Sequence, residues 1–156
     1  IPNPKVRLPH SPSPGDPRVS NSMPVSSSNR ATNLVMDLMK ISGVSGSEQR
    51  VVDFIKRRLL DAGCDPKWLK SDQAHRRTPL NGQTGNLVLR MRGNLRSPRR
   101  MLVAHMDTVP ICVNAEPVIQ GNRISSKNLT SGLGADDRAG VAVLLNTAVE
   151  ILEKKL

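Results

Sequence analysis

Two short stretches concentrate the groups able to do chemistry. The apolar run Met101-Leu102-Val103-Ala104 leads straight into His105-Met106-Asp107-Thr108-Val109-Pro110. Downstream, Gly132-Leu133-Gly134-Ala135 leads into Asp136-Asp137-Arg138-Ala139-Gly140. His offers an imidazole nitrogen and Asp offers hard oxygens, a mixture suited to zinc and similar divalent ions. An acid two residues from a ligating His can also hold the ring in one tautomer. Each piece alone has a plainer reading. H-x-D by itself is a weak motif. A Gly-rich turn before a helix serves as an ordinary strand–helix connection or as a phosphate cradle. Paired Asp at a helix start act as caps and complement the dipole. The conjunction of the two stretches points to half of a metal site.

Such a site needs rigid elements behind it. Residues i and i+2 of a strand share a face, so His105 and Asp107 are expected to project together. Met101 to Ala104 is apolar without alternation, as in a strand covered on both sides by helices. Open α/β sheets gather their ligands at the carboxyl ends of such strands. Asn86 to Arg92 alternates, with Leu87, Leu89 and Met91 facing one way, and predicts a second strand beside the first. From Arg138 onward, Val141, Leu144, Leu145, Ala148, Val149 and Leu152 form a helical stripe expected to lie on the sheet, with Gly140 allowing close approach.

Upstream, Leu34, Val35, Leu38 and Met39 predict a helix over 31–41. Ser45 and Glu48 fit a capping box for a second helix, with an apolar stripe of Val51, Val52, Ile55, Leu59 and Leu60 and a stop at Gly63. Residues 65–85 read as irregular, with Trp68 as a packing residue and His75 solvated. Gly121-Asn122 predicts a hairpin within 116–126.

The two chemical motifs resemble those of the co-catalytic di-zinc exopeptidases. That family includes peptidase T (tripeptide aminopeptidase), bacterial glutamate carboxypeptidase, succinyl-diaminopimelate desuccinylase and aminoacylase. The A-D-D-R-A-G-V-A form looks most like the peptidase T branch, and the resemblance covers residues 31–156. It implies a three-layer α/β catalytic domain that hydrolyses a peptide bond with water activated by two zinc ions. It implies that His105 and Asp136 ligate metal, with Asp136 bridging both ions, and that Asp107 is the catalytic acid that orients the site. It also implies a cis bond between Asp136 and Asp137. The family's Glu-Glu pair, which gives the general base and a ligand, its further carboxylate ligand and its second His have no match here. Glu150 and Glu153 lie on the wrong element. A dimerisation domain is also unmatched, and a homodimer is an assembly open to the intact enzyme. The chain therefore reads as a truncated, amino-terminal part of such an enzyme, inactive alone. Aminopeptidase, carboxypeptidase and deacylase remain open, as does a non-catalytic remnant that binds a partner chain.

The remaining composition narrows the class further. The chain has 156 residues, enough for one domain with a moderate core. Its formal charge is +10, yet aromatics make up 1% of it, which leaves nothing to stack on bases. Solvated surface charge is favoured over nucleic-acid binding. Residues 1–30 are rich in Pro and Ser without apolar periodicity and read as a disordered extension. No run is long enough to span a membrane, and Cys64 and Cys112 are too far apart in sequence to form a C-x-x-C. Free thiols suggest a reducing, cytoplasmic setting.

Overall fold

The computed structural model describes residues 27–156 apart from residue 95. Among the described residues the fold mixes three α-helices with four short strands. Helix α1 spans Ser27–Lys40, α2 spans Gln49–Asp61 and α3 spans Ala135–Lys154. Helix α1 starts a turn earlier than its apolar spacing predicts. Arg30, in that extra turn, pairs with Glu153 of α3 at 2.8 Å. The rest of the expected extension lies outside the described residues.

The apolar stripes meet in one core. Leu38 of α1 and Val51 of α2 are fully buried, and Val141, Ala142, Leu145 and Ala148 of α3 close over them; Val52 is fully buried as well. Removing each such Val or Leu side chain from water stabilises the fold by about 1.5–3 kcal/mol. Leu60 stays outside this stripe, 44% exposed. Helix α2 stops where expected. The amides of Gly63 and Cys64 bond back to Leu60 and Leu59 at 2.9 and 3.0 Å, a Schellman motif. Helix α3 packs mainly on α1 and α2, while Leu87, Leu89, Met91, Ala104 and Met106 line the margin of the core.

The capping box does not form. Glu48 itself is the N-cap of α2, and its carboxylate accepts from the Gly46 amide at 2.6 Å. The hydroxyl of Ser45 turns instead to Asp107.

The strands depart most from expectation. Strand β1, Leu69–Ser71, pairs antiparallel with β2, Leu87–Leu89, with Leu69 opposite Leu89. The neighbour of β2 is thus a segment that reads as irregular, and not the run at Met101. Asp72 brackets this pair, accepting from the Asn86 amide and side chain, each at 2.8 Å. Strands β3, Pro117–Gln120, and β4, Arg123–Ser126, form the expected hairpin around Gly121-Asn122. Met101 to Ala104 joins no ladder among the described residues. Met101 and Val103 are 86% and 75% exposed, so the doubly covered strand is not realised. Among the described residues no helix is long and apolar enough to cross a membrane.

Candidate metal site

The run ending in His105 and Asp107 is anchored at its carboxyl end. Thr108 donates its amide to the Gly43 carbonyl at 2.9 Å, and Val44 and Thr108 form a parallel bridge. Thr108 is buried. After a short 3-10 turn at Pro110–Cys112, the Gly-rich segment is tied to the same place. Gly132 donates its amide to Ile111 at 3.0 Å, and the Ser131 hydroxyl does so at 3.2 Å. Gly134 is where the two motifs touch. Its φ is +68°, and a Cβ there would lie 2.8 Å from the Thr108 methyl. Conformation and space both exclude a side chain.

The two Asp after Gly134 divide their roles. Asp136 and Asp137 have non-helical dihedrals, so the regular helix begins at Arg138. Asp137 caps it, accepting from the Gly140 amide at 3.1 Å. Gly140 leaves room for that carboxylate, since a Cβ would collide with it. Its absent side chain serves the cap and not a close helix approach. Asp136 points outward with its side chain 97% exposed. The peptide bond between the two Asp is cis, as the resemblance implies.

These placements bring the three expected residues together. His105 Nδ1 faces Asp107 Oδ1 at 3.0 Å, and His105 Nε2 faces Asp136 Oδ1 at 3.0 Å. The imidazole thus lies between two carboxylates, one on each nitrogen. The hydrogen bond to Asp136, and then that to Asp107, raise the imidazole pKa above its ordinary 6.5. Asp107 is held below the usual carboxylate range, first by the Ser45 hydroxyl and then by the imidazole. An open cleft of about 350 Å³ lies beside these groups, walled by Thr108, Ile111, Cys112 and Gly134.

A cation would find two donors here. An imidazole nitrogen and a carboxylate oxygen 3.0 Å apart fall within the span of two zinc ligands each at about 2.0–2.1 Å. Asp107 sits on the opposite ring nitrogen, where an outer partner of a metal-bound His belongs. Among the described residues no group of three or more His, Cys, Asp or Glu is arranged to hold a metal ion. The residues present therefore fit a metal as part of a ligand set.

Two neighbours of the site escape a sequence reading. Ser45 follows a capping pattern but bonds Asp107. Arg138 is fully buried behind the site, donating from Nη2 to the Ile41 carbonyl at 3.2 Å. Its Nε and Nη1 find no partner among the described residues, and burial lowers its pKa while the Asp107 charge opposes that. The only sequence signal is that position 138 falls on the same helical face as Val141, Ala142 and Leu145. His75 is half-buried rather than solvated, and its Nδ1 is buried without a partner among the described residues. Cys64 and Cys112 are free and buried.

The fold is shared with known peptidases. The chain superposes on the crystal structure of a tripeptidase from Staphylococcus aureus subsp. aureus Mu50 with a TM-score of 0.71 and 28% sequence identity. It superposes on aminopeptidase PepT from Bacillus cereus ATCC 10987 with a TM-score of 0.68 and 23% identity, a likeness of fold. Each match covers 85% of this chain and 34% of the other, so this chain spans about a third of either neighbour's length. No protein-family model and no curated protein sequence matches the chain.

Proposed function

We propose that this chain carries part of the site of a zinc-dependent exopeptidase, of the tripeptide aminopeptidase kind. The observation that carries the reading is the convergence of His105 Nε2 on Asp136 Oδ1, in a fold shared with a tripeptidase. On this reading the domain is one part of the three-layer zinc-exopeptidase architecture, acting on peptides, with the intact enzyme free to dimerise.

The roles of the residues follow from their contacts. Asp107 accepts the Nδ1 proton of His105, which leaves the Nε2 lone pair directed to the cleft. Asp136 places its exposed carboxylate opposite that nitrogen. A metal would bind between Nε2 and that carboxylate, on the deprotonated nitrogen. When bound, two zinc ions would acidify a water and polarise the scissile carbonyl. A general base is also required. The carboxylates of α3 do not supply it: Glu150 is engaged by Lys154 at 2.9 Å and Glu153 by Arg30 at 2.8 Å.

The 156-residue chain is therefore expected to bind zinc weakly and to hydrolyse tripeptides at a negligible rate. Zinc titration by calorimetry tests the site: binding is expected in the unaltered chain and lost in both His105→Ala and Asp136→Ala. Binding indifferent to both substitutions would overturn the assignment. Robust, chelator-sensitive tripeptidase activity of the purified chain would overturn its incompleteness.

A further inference from the structure

We propose that Ser45 is a positioning residue for this site, acting through Asp107, and that the turn at residues 43–45 is built to aim it. The proposal rests on the metal-site reading above and adds a residue to it.

Asp107 has two oxygens and needs both held. Its Oδ1 meets the imidazole at 3.0 Å. A carboxylate rotates freely about its last torsion, whose preferences are broad. One contact to a half-exposed ring does not stop that rotation. The Ser45 hydroxyl donates to Oδ2, and the two contacts together define the carboxylate plane. The plane in turn sets the line along which Nδ1–H is received, and hence where Nε2 points.

The backbone around Ser45 is clamped from several sides. Thr108, next to Asp107 in the chain, donates its amide to the Gly43 carbonyl at 2.9 Å. The Ser47 amide closes the turn onto Val44 at 2.8 Å, and the Gln83 amide bonds the Gly46 carbonyl at 3.0 Å. Behind the turn, Arg138 holds the Ile41 carbonyl at 3.2 Å. A Cβ at Gly43 would lie 2.8 Å from Arg138 Nη2 and 2.9 Å from a Val51 methyl, so the turn is wedged against the core. The start of α2 does not use the hydroxyl, because Glu48 supplies the acceptor for the Gly46 amide. The Ser45 side chain is thus free of the local duty that its position in the sequence suggests.

A serine that merely pins the turn and one that orients Asp107 differ in what they do to the ring. The test compares the unaltered chain with Ser45→Ala and Ser45→Thr. Nitrogen-15 NMR of His105, at a pH where the ring is neutral, reads the share of the Nδ1–H tautomer in the metal-free protein. Calorimetry reads zinc affinity, and denaturant unfolding reads stability. Ser45→Ala is expected to move the proton from Nδ1 toward Nε2, where Asp136 competes for it, and to weaken zinc binding by about tenfold, the low end of what outer partners of metal ligands contribute. Ser45→Thr, which keeps the hydroxyl, is expected to restore both. A Ser45→Ala chain with unchanged tautomer, whatever its stability, overturns the proposal. If the unaltered chain binds no zinc but the tautomer still shifts in Ser45→Ala, the metal reading fails and the positioning role stands.

Discussion

The run from Met101 to Thr108 is bare at one end and fastened at the other. Met101 is 86% exposed, and Thr108, seven residues on, is 7% exposed. The bare end has no described strand beside it. The fastened end is held by the Gly43 carbonyl, the Ser45 hydroxyl and the Gly134 turn, none of which belongs to a sheet. The contrast shows that the chemical groups here are positioned by two turns, one at residues 43–47 and one at Gly134, converging on the end of this run. The helical core beneath those turns, through Val51 and Arg138, sets where they sit.

The contrast predicts very unequal responses to substitution. Leu38→Ala, in the fully buried layer of α1, is expected to destabilise the chain by about 2–5 kcal/mol. Met101→Ala and Val103→Ala are expected to change stability by less than about 0.5 kcal/mol. Denaturant unfolding measures both. A large loss at Val103 would mean that the run is covered after all.

The paired Asp sharpen the same comparison at a smaller scale. Asp137→Ala removes a cap and is expected to cost about 1 kcal/mol of stability. Asp136→Ala is expected to leave stability within about 0.5 kcal/mol, because its side chain is 97% exposed, and still to abolish zinc binding. Equal losses of stability would erase the division of roles between them.

The smallest effect is electrostatic. The pKa of His105, followed by NMR, is expected above 6.5 and to fall toward that value in Asp136→Asn, since Asp136 is the larger cause of the rise. A raised folded-state pKa adds stability that is fully present below about 6.5 and is lost as pH rises through the raised value. The ring is 54% exposed, so solvent screening keeps this contribution small. An imidazole pKa unmoved in Asp136→Asn would show that the two groups do not meet in solution.

That His105, Asp107 and Asp136 would meet was legible from the conjunction of the two motifs, a His and an Asp two apart and an Asp after a Gly-rich turn, while their roles came only from the resemblance. The helices were legible because their apolar stripes repeat at helical spacing and Gly63 supplies the stop. Strand β1 was not, because three residues with a single Leu carry no alternation and its register depends on Asp72 reaching Asn86. The role of Ser45 was hidden by a local pattern that fits a cap equally well, while its partner is 62 residues away. Met101 to Ala104 misled in the other direction. An unbroken apolar run indicates what a segment would bury, yet Met101, Leu102 and Val103 stay exposed and only Ala104 reaches the core.

The most direct test of the account is diffraction from crystals of this chain soaked in zinc, with data taken at the zinc absorption edge. The account predicts an anomalous peak about 2.0–2.1 Å from both His105 Nε2 and an Asp136 carboxylate oxygen. A peak elsewhere, or the imidazole and that carboxylate turned away from each other, would contradict it.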